Sequence, residues 1–204
     1  MILTGEAIAS RLAEDSDPLV ITPQTVDLEK LKQSRSASIN LRLGTWFLQL
    51  QQTKEARLEL PMKDKPSVDE ADLTREFYVR FASPFYLHPR AFLLGVTLEW
   101  IRLPKDLAAY VIGRSSWGRR GLIIATAAGV HPGFTGCLTL ELTNVGEMPI
   151  QIRPGLEICQ LFLHDTRGEG DKVDQSKLVG YRKPTLSRIK PDAIADKLAI
   201  EPSP

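Results

Sequence analysis

The sequence predicts an all-β domain, a barrel or a sandwich. Three observations carry this. From Phe77 onward, short apolar runs recur with turn residues between them. Two of the longest runs, Ser38–Gly44 and Leu138–Asn144, alternate apolar and polar residues with a period of two. No run of strand followed by long helix repeats, as a parallel α/β sheet would require.

Residues 2–12, ILTGEAIASRL, predict a short helix. Thr4 is placed to cap it, Ile8 and Leu12 share one face at i, i+4, and Asp15–Pro18 ends it. Residues 19–37 are mixed and polar and predict extended pieces at best. In SINLRLG, Ile39, Leu41 and Leu43 point one way while Ser38, Asn40 and Arg42 point the other. This is a half-buried strand, which Trp46–Leu50 continues or follows with the next. Residues 53–75 are charged and contain Pro61 and Pro66, and they predict an exposed insertion or long loop.

Beyond it, strands are expected at Phe77–Phe81, Phe92–Leu98, Ala108–Ile112, Leu122–Ala125, Leu138–Leu142, Ile150–Ile152 and Ile158–Leu163. Pro84, Pro89, Pro104, Pro132-Gly133, Gly146 with Pro149, and Pro154-Gly155 punctuate them. The length fits one domain over 1–190, followed by a weakly held tail, 191–204.

The totals exclude several functions. The 26 Lys+Arg against 25 Asp+Glu give a net charge of +1, without the basic excess of a nucleic-acid binder. No apolar run approaches a membrane span. The two cysteines, Cys137 and Cys159, make no disulfide framework; Cys159 falls in an expected strand and Cys137 at the edge of one, and both are expected to be core thiols. Neither H-E-x-x-H nor C-x-x-C occurs, so no spacing supports zinc. A cytoplasmic protein with reduced thiols is the expectation.

Chemistry concentrates between Gly113 and Asn144. GRSSWG matches the opening of a Walker loop, but the Lys-Ser/Thr that should follow is missing and the flanks are β, so the P-loop reading fails. Ser115 and Ser116 are placed to cap a helical turn whose N–H groups face an anion. Arg114 and Arg119 would add bidentate bonds to phosphate oxygens. A capped turn with solvated arginines accounts for the same residues. Farther on, Glu141 stands in mid-strand among Leu138, Leu140 and Leu142 on one face and Thr139 and Thr143 on its own. It is either a cross-strand partner facing water or a general base in a cleft or subunit interface.

Several runs together carry a resemblance: SINLRLG, FYLHP, GRSSWGRRGL, HPGFTGCLTLELTN, RPGLEICQLF and KPTLSRI. In this order they resemble the deoxycytidine triphosphate deaminase branch of the dUTPase-like family, over most of residues 1–190. The resemblance implies a distorted β-barrel with a short N-terminal helix and small helical turns, assembled as a homotrimer with sites at subunit interfaces. It implies zinc-independent hydrolytic deamination of dCTP, or a close analogue, to dUTP and ammonia, supplying dUTP for thymidylate synthesis. Magnesium would arrive on the nucleotide triphosphate. By position, Arg114, Ser115, Ser116 and Arg119 would hold the triphosphate or order the site across the interface, and Ser115 and Arg119 would help place the water and the base. Glu141 would be the general base and proton shuttle. Thr139 and Leu140 would offer backbone groups to base or sugar, and Lys177 a phosphate contact from a C-terminal segment that closes over the nucleotide.

Departures from the family pattern bear on the product. The family reads A-G-x-I-D-x-G-F before the Glu strand. Here Ala128–Phe134 is one residue shorter and places His131 where Asp is expected. In the dUTPase branch that Asp helps activate the hydrolytic water, so its replacement argues against triphosphate hydrolysis to monophosphate. His131 either replaces its contact to the nucleotide or is an ordinary turn residue. Tyr181 stands where a Gln is expected in the closing segment, and Trp117 replaces a smaller aliphatic residue. A pyrophosphatase and a non-catalytic nucleotide-binding trimer are the competing readings.

Overall fold

The computed structural model describes residues 1–51, 73–126, 129–167, 180–186 and 194. Helix α1, Gly5–Leu12, begins where Thr4 accepts the Ala7 N–H on its hydroxyl at 3.4 Å. Glu6 in the first turn and Arg11 in the last both suit the helix dipole. Ile8 and Ala9 are fully buried beneath it. Strand β1, Val20–Thr22, follows, and then a helix that the sequence reading missed, α2, Leu28–Gln33. Asp27 caps α2 by accepting the N–H groups of Glu29 and Lys30. With Leu31 its one buried residue, α2 has no periodicity to announce it. The helices meet closely: a Cβ on Gly5 would lie 2.4 Å from the Leu31 carbonyl oxygen.

Strand β2, Ile39–Leu50, is a single strand of 12 residues, so Trp46–Leu50 continues the alternating run. Strand β3 is Thr74–Tyr78, earlier than the expected 77–81, and it takes residues 74 and 75 out of the expected insertion. The rest of that insertion, 53–72, lies outside the described residues, as does the 191–204 tail apart from Ile194. The remaining elements are β4 (Phe85–Leu87), β5 (Phe92–Arg102), β6 (Leu107–Gly113), α3 (Ser115–Gly118), β7 (Leu122–Ala125), β8 (Gly129–Val130), β9 (Thr135–Asn144), β10 (Ile150–Ile152) and β11 (Glu157–Asp165).

Antiparallel pairing orders the main sheet β7-β9-β5-β2-β11-β6-β8, with β1 added on β5 and β3 on β2. Strands β10 and β4 make a small second sheet. The main sheet curls until β6 meets β7, where a Cβ on Gly113 would lie only 3.1 Å from the Ile124 Cβ. The curl encloses one core, to which Leu41, Phe47, Ile101, Leu122, Leu140 and Leu161 each contribute a side chain with no exposure. Phe47 stacks on Phe77 and meets Phe85 edge-on, with centroids 5.5 and 4.8 Å away. The fold is therefore an all-β distorted half-barrel. Among the described residues no helix is long and apolar enough to cross a membrane.

Candidate active site

The cationic turn joins β6 to β7. Arg114, not a serine, occupies the N-cap position of α3, and its side chain makes no capping bond. Ser115 and Ser116 are instead the first two helical residues. The cap predicted for them fails because the chain leaves β6 one residue too early. Both serines are exposed, and neither hydroxyl has a partner among the described residues. Arg119 is exposed at the C-cap, its N–H donating to the Ser115 carbonyl at 3.0 Å.

Arg114 is only half-exposed, and its guanidinium is engaged. Its Nη1 donates to Glu157 Oε2. Asn40 Nδ2 donates to the same oxygen at 3.1 Å, and Arg42 Nη2 donates to Glu157 Oε1 at 3.0 Å. The Trp117 indole donates to the Glu157 carbonyl oxygen at 2.8 Å. Glu157 thus underpins the turn. The sequence reading gave it no role, although a carboxylate between Leu156 and Ile158 in an apolar run was a visible signal.

Strand β9 alternates without a break. Leu138, Leu140 and Leu142 face the core, while Thr139, Glu141 and Thr143 are half-buried on the other face. Leu140 has no exposure, so only its backbone is available to a ligand. The Thr139 carbonyl accepts the Thr126 hydroxyl at 2.8 Å. Glu141 stands opposite Leu94 of β5 and Ala125 of β7. Both neighbours are apolar, and among the described residues no cation pairs with it. Among the described residues, then, Glu141 shows no charge pairing across the sheet, the usual role of a mid-strand Glu. The turn precedes Leu122, whereas Glu141 is level with Ala125. At a strand rise of about 3.3 Å per residue, the two lie roughly 10 Å apart along β7.

His131 heads a turn in which the Phe134 N–H donates to its carbonyl at 3.2 Å, with Gly133 at φ 74°. The Pro-Gly order and the positive φ fit a type II turn. The His131 side chain is exposed. Gly180 and Tyr181 run along the start of β9: the Gly180 N–H donates to the Thr135 carbonyl at 2.7 Å, and the Cys137 N–H donates to the Tyr181 carbonyl at 2.9 Å. Gly136 makes this approach possible, since a Cβ there would lie 3.2 Å from the Tyr181 oxygen. Lys183 anchors the segment, 2.6 Å from Glu76 Oε1 and 3.8 Å over the Trp46 ring. A cleft of about 480 Å³ lies beside it, lined by Trp46, Val96, Trp100, Cys137 and Arg182 among others. None of Arg114, Ser115, Ser116, Arg119 or Glu141 lines this cleft. Lys177 lies outside the described residues, as do Ala127 and Ala128.

Burial pushes the Cys159 thiol up to about 12 and raises Cys137 as well, so both stay protonated at neutral pH. Among the described residues, no three His, Cys, Asp or Glu side chains gather into a metal cage.

A family model described as dCTP deaminase-like matches residues 2–166. The chain is 39% identical over 197 residues to a "dCTP deaminase, dUMP-forming" of Dictyoglomus turgidum, covering 94% of this chain and 96% of the relative. It is also 39% identical over 199 residues to a "dCTP deaminase" of Halorubrum lacusprofundi, covering 94% and 93%. The crystal structure of 2'-deoxycytidine 5'-triphosphate deaminase from Agrobacterium tumefaciens superposes with a TM-score of 0.58 at 23% identity, a likeness of fold. That match covers 81% of this chain and spans about half, 48%, of the other.

Proposed function

The chain belongs to the dCTP deaminase-like family, and on that premise we propose that it hydrolyses the cytosine amine of dCTP, giving dUTP and ammonia. The observation that carries this reading is Glu141: a half-buried carboxylate between Leu94 and Ala125, with no cation to neutralise it among the described residues. Such a group is free to accept a proton from water as the oxygen adds to C4. It then delivers protons to N3 and to the departing amine, so that one water is consumed and one ammonia leaves.

Arg114, Ser115, Ser116 and Arg119 hold the triphosphate, with the magnesium ion it carries, by charge-assisted bonds. Ser115 and Arg119 also place the water and the base. Thr139 and Leu140 present backbone groups to the nucleotide. Lys177 and Tyr181 belong to the C-terminal segment that covers it, and His131 borders the sugar. Orientation of the base against Glu141 by the phosphates supplies the positioning part of catalysis.

The site is shared between subunits of a homotrimer, as the resemblance implies. Exposed apolar side chains near the turn, Tyr110 and Ile112 on β6 and Ile123 on β7, support the same assembly. A cytoplasmic setting completes the reading, in keeping with two free cysteines.

A second reading rests on the names of relatives. The relative from Dictyoglomus turgidum is called dUMP-forming, which would add cleavage of dUTP to dUMP and pyrophosphate.

The test is Glu141→Gln and Glu141→Ala, incubated with dCTP and magnesium. Ammonia release should fall by a factor on the order of 10² or more while dCTP binding and the circular dichroism spectrum persist. Near-normal turnover in either variant overturns the mechanism.

A further inference from the structure

Helix α3 spans only Ser115–Gly118, a single turn that cannot sustain itself without outside contacts. Besides the Ile158 carbonyl, which accepts the Arg114 N–H at 3.1 Å, Glu157 at the start of β11 supplies two of them. Its carboxylate takes Arg114 Nη1 at the N-cap, and its carbonyl takes the Trp117 indole N–H. Glu157 is itself fixed. Arg42 binds its other oxygen, and Arg42 is tied in turn through Nη1 to the Gly155 carbonyl at 2.9 Å. Asn40 adds a further bond at 3.1 Å. The three charged side chains are each about one-third exposed, at 31% for Arg114, 32% for Arg42 and 33% for Glu157.

We infer that Glu157 is a positioning residue for the triphosphate: it aims the Arg114 guanidinium and lets that cation stand beside Arg42. The inference rests on the role of Arg114 in the proposed function. Only Nη1 of Arg114 is used by Glu157; Nε and Nη2 have no partner among the described residues. The fork is therefore held by one nitrogen and offers the others to a phosphate oxygen. Without the carboxylate, two guanidiniums face each other and Arg114 loses its fixed orientation. Trp117 keeps its anchor, because a backbone carbonyl provides it. Glu157 thus acts on nucleotide affinity through Arg114, with the chemistry at Glu141 untouched.

The experiment measures KM and kcat for dCTP in wild type, Glu157→Ala, Glu157→Gln, Arg114→Ala and the Glu157→Ala/Arg114→Ala double variant, with thermal melting as the control for folding. Glu157→Ala should raise KM roughly tenfold with kcat within about twofold. Glu157→Gln, which keeps the shape and loses the charge, should fall between Glu157→Ala and wild type. The double variant should be no worse than Arg114→Ala, because both changes act on one interaction. An unchanged or lowered KM in Glu157→Ala, or additive losses in the double variant, overturns the inference while leaving Arg114 in its role. A wild-type KM in Arg114→Ala overturns both. Should Glu157→Ala fail to fold, the rise in KM of Glu157→Gln decides alone.

Discussion

Glu99, with no exposure at all, accepts the backbone N–H of Arg42 on its carboxylate at 2.8 Å. It sits where β5 bulges against β9, between Val96 and Trp100. The Thr25 hydroxyl donates to the other oxygen at 3.1 Å. This hydrogen bonding does not overcome burial, which raises the Glu99 pKa above its ordinary 4.5. Between 4.5 and the raised value the folded protein binds more protons than the unfolded chain. The contribution to stability is therefore complete below the ordinary value and is lost as pH rises through the folded one. Glu99→Gln removes this dependence. Its melting temperature relative to wild type should climb between pH 4 and pH 8, roughly matching wild type at the acid end. A relative melting temperature that falls over that range would show instead that the charged carboxylate is what the Arg42 and Thr25 donors stabilise, and a constant offset would show that folding leaves the Glu99 carboxyl unshifted. Asp106 works in the opposite direction: the Arg11 guanidinium lowers its pKa, so that its contribution is lost as pH falls. The difference between variant and wild type cancels that background.

Asn144 closes β9 with a complete set of hydrogen bonds. Its amide nitrogen donates to the Leu87 carbonyl at 2.9 Å and to the Met148 carbonyl at 2.8 Å, and its oxygen accepts the Gly146 N–H at 2.9 Å. The side chain is fully buried. Asn144→Ala leaves two carbonyls and one N–H without partners, a loss on the order of 3 kcal/mol. Urea unfolding should show a lowered midpoint with an unchanged slope. Asn144→Asp should be at least as damaging, because it puts an acceptor where two donors are required.

What the sequence disclosed follows from the range of each interaction. The alternation from Leu138 to Asn144 was readable because a strand with one buried face repeats every two residues. The bounds of β7 and β10 were readable because turn residues flank them. Strands β4 and β8, of three and two residues, have too little pattern of their own and exist by pairing with β10 and β6. Arg114 and Glu141 stood out by residue type. The partner of Arg114 did not, because Glu157 lies 43 residues away and no spacing rule connects them. Tyr181 was marked by its departure from a family pattern. Its seat beside Gly136 depends on the φ of 145° at that glycine, which only the folded chain displays.

His131 separates the two readings of the product. It occupies the first position of its turn, outside the two central positions whose backbone angles define the turn, and its side chain is exposed. His131→Asp should therefore fold normally, and any change in product then reports chemistry. On the proposed function, the wild type converts dCTP to dUTP and ammonia without pyrophosphate. An Asp at this place would supply the group that orients and activates water against the triphosphate, as the resemblance assigns in the dUTPase branch. His131→Asp should then release pyrophosphate and dUMP from both dCTP and dUTP, roughly a hundredfold above the wild-type background. Chromatography separates the monophosphate from the triphosphate, and a coupled assay counts pyrophosphate. If the wild type itself yields dUMP, the second reading holds and His131 is no barrier to hydrolysis. If neither protein releases pyrophosphate, the exchange at position 131 is not what sets the product.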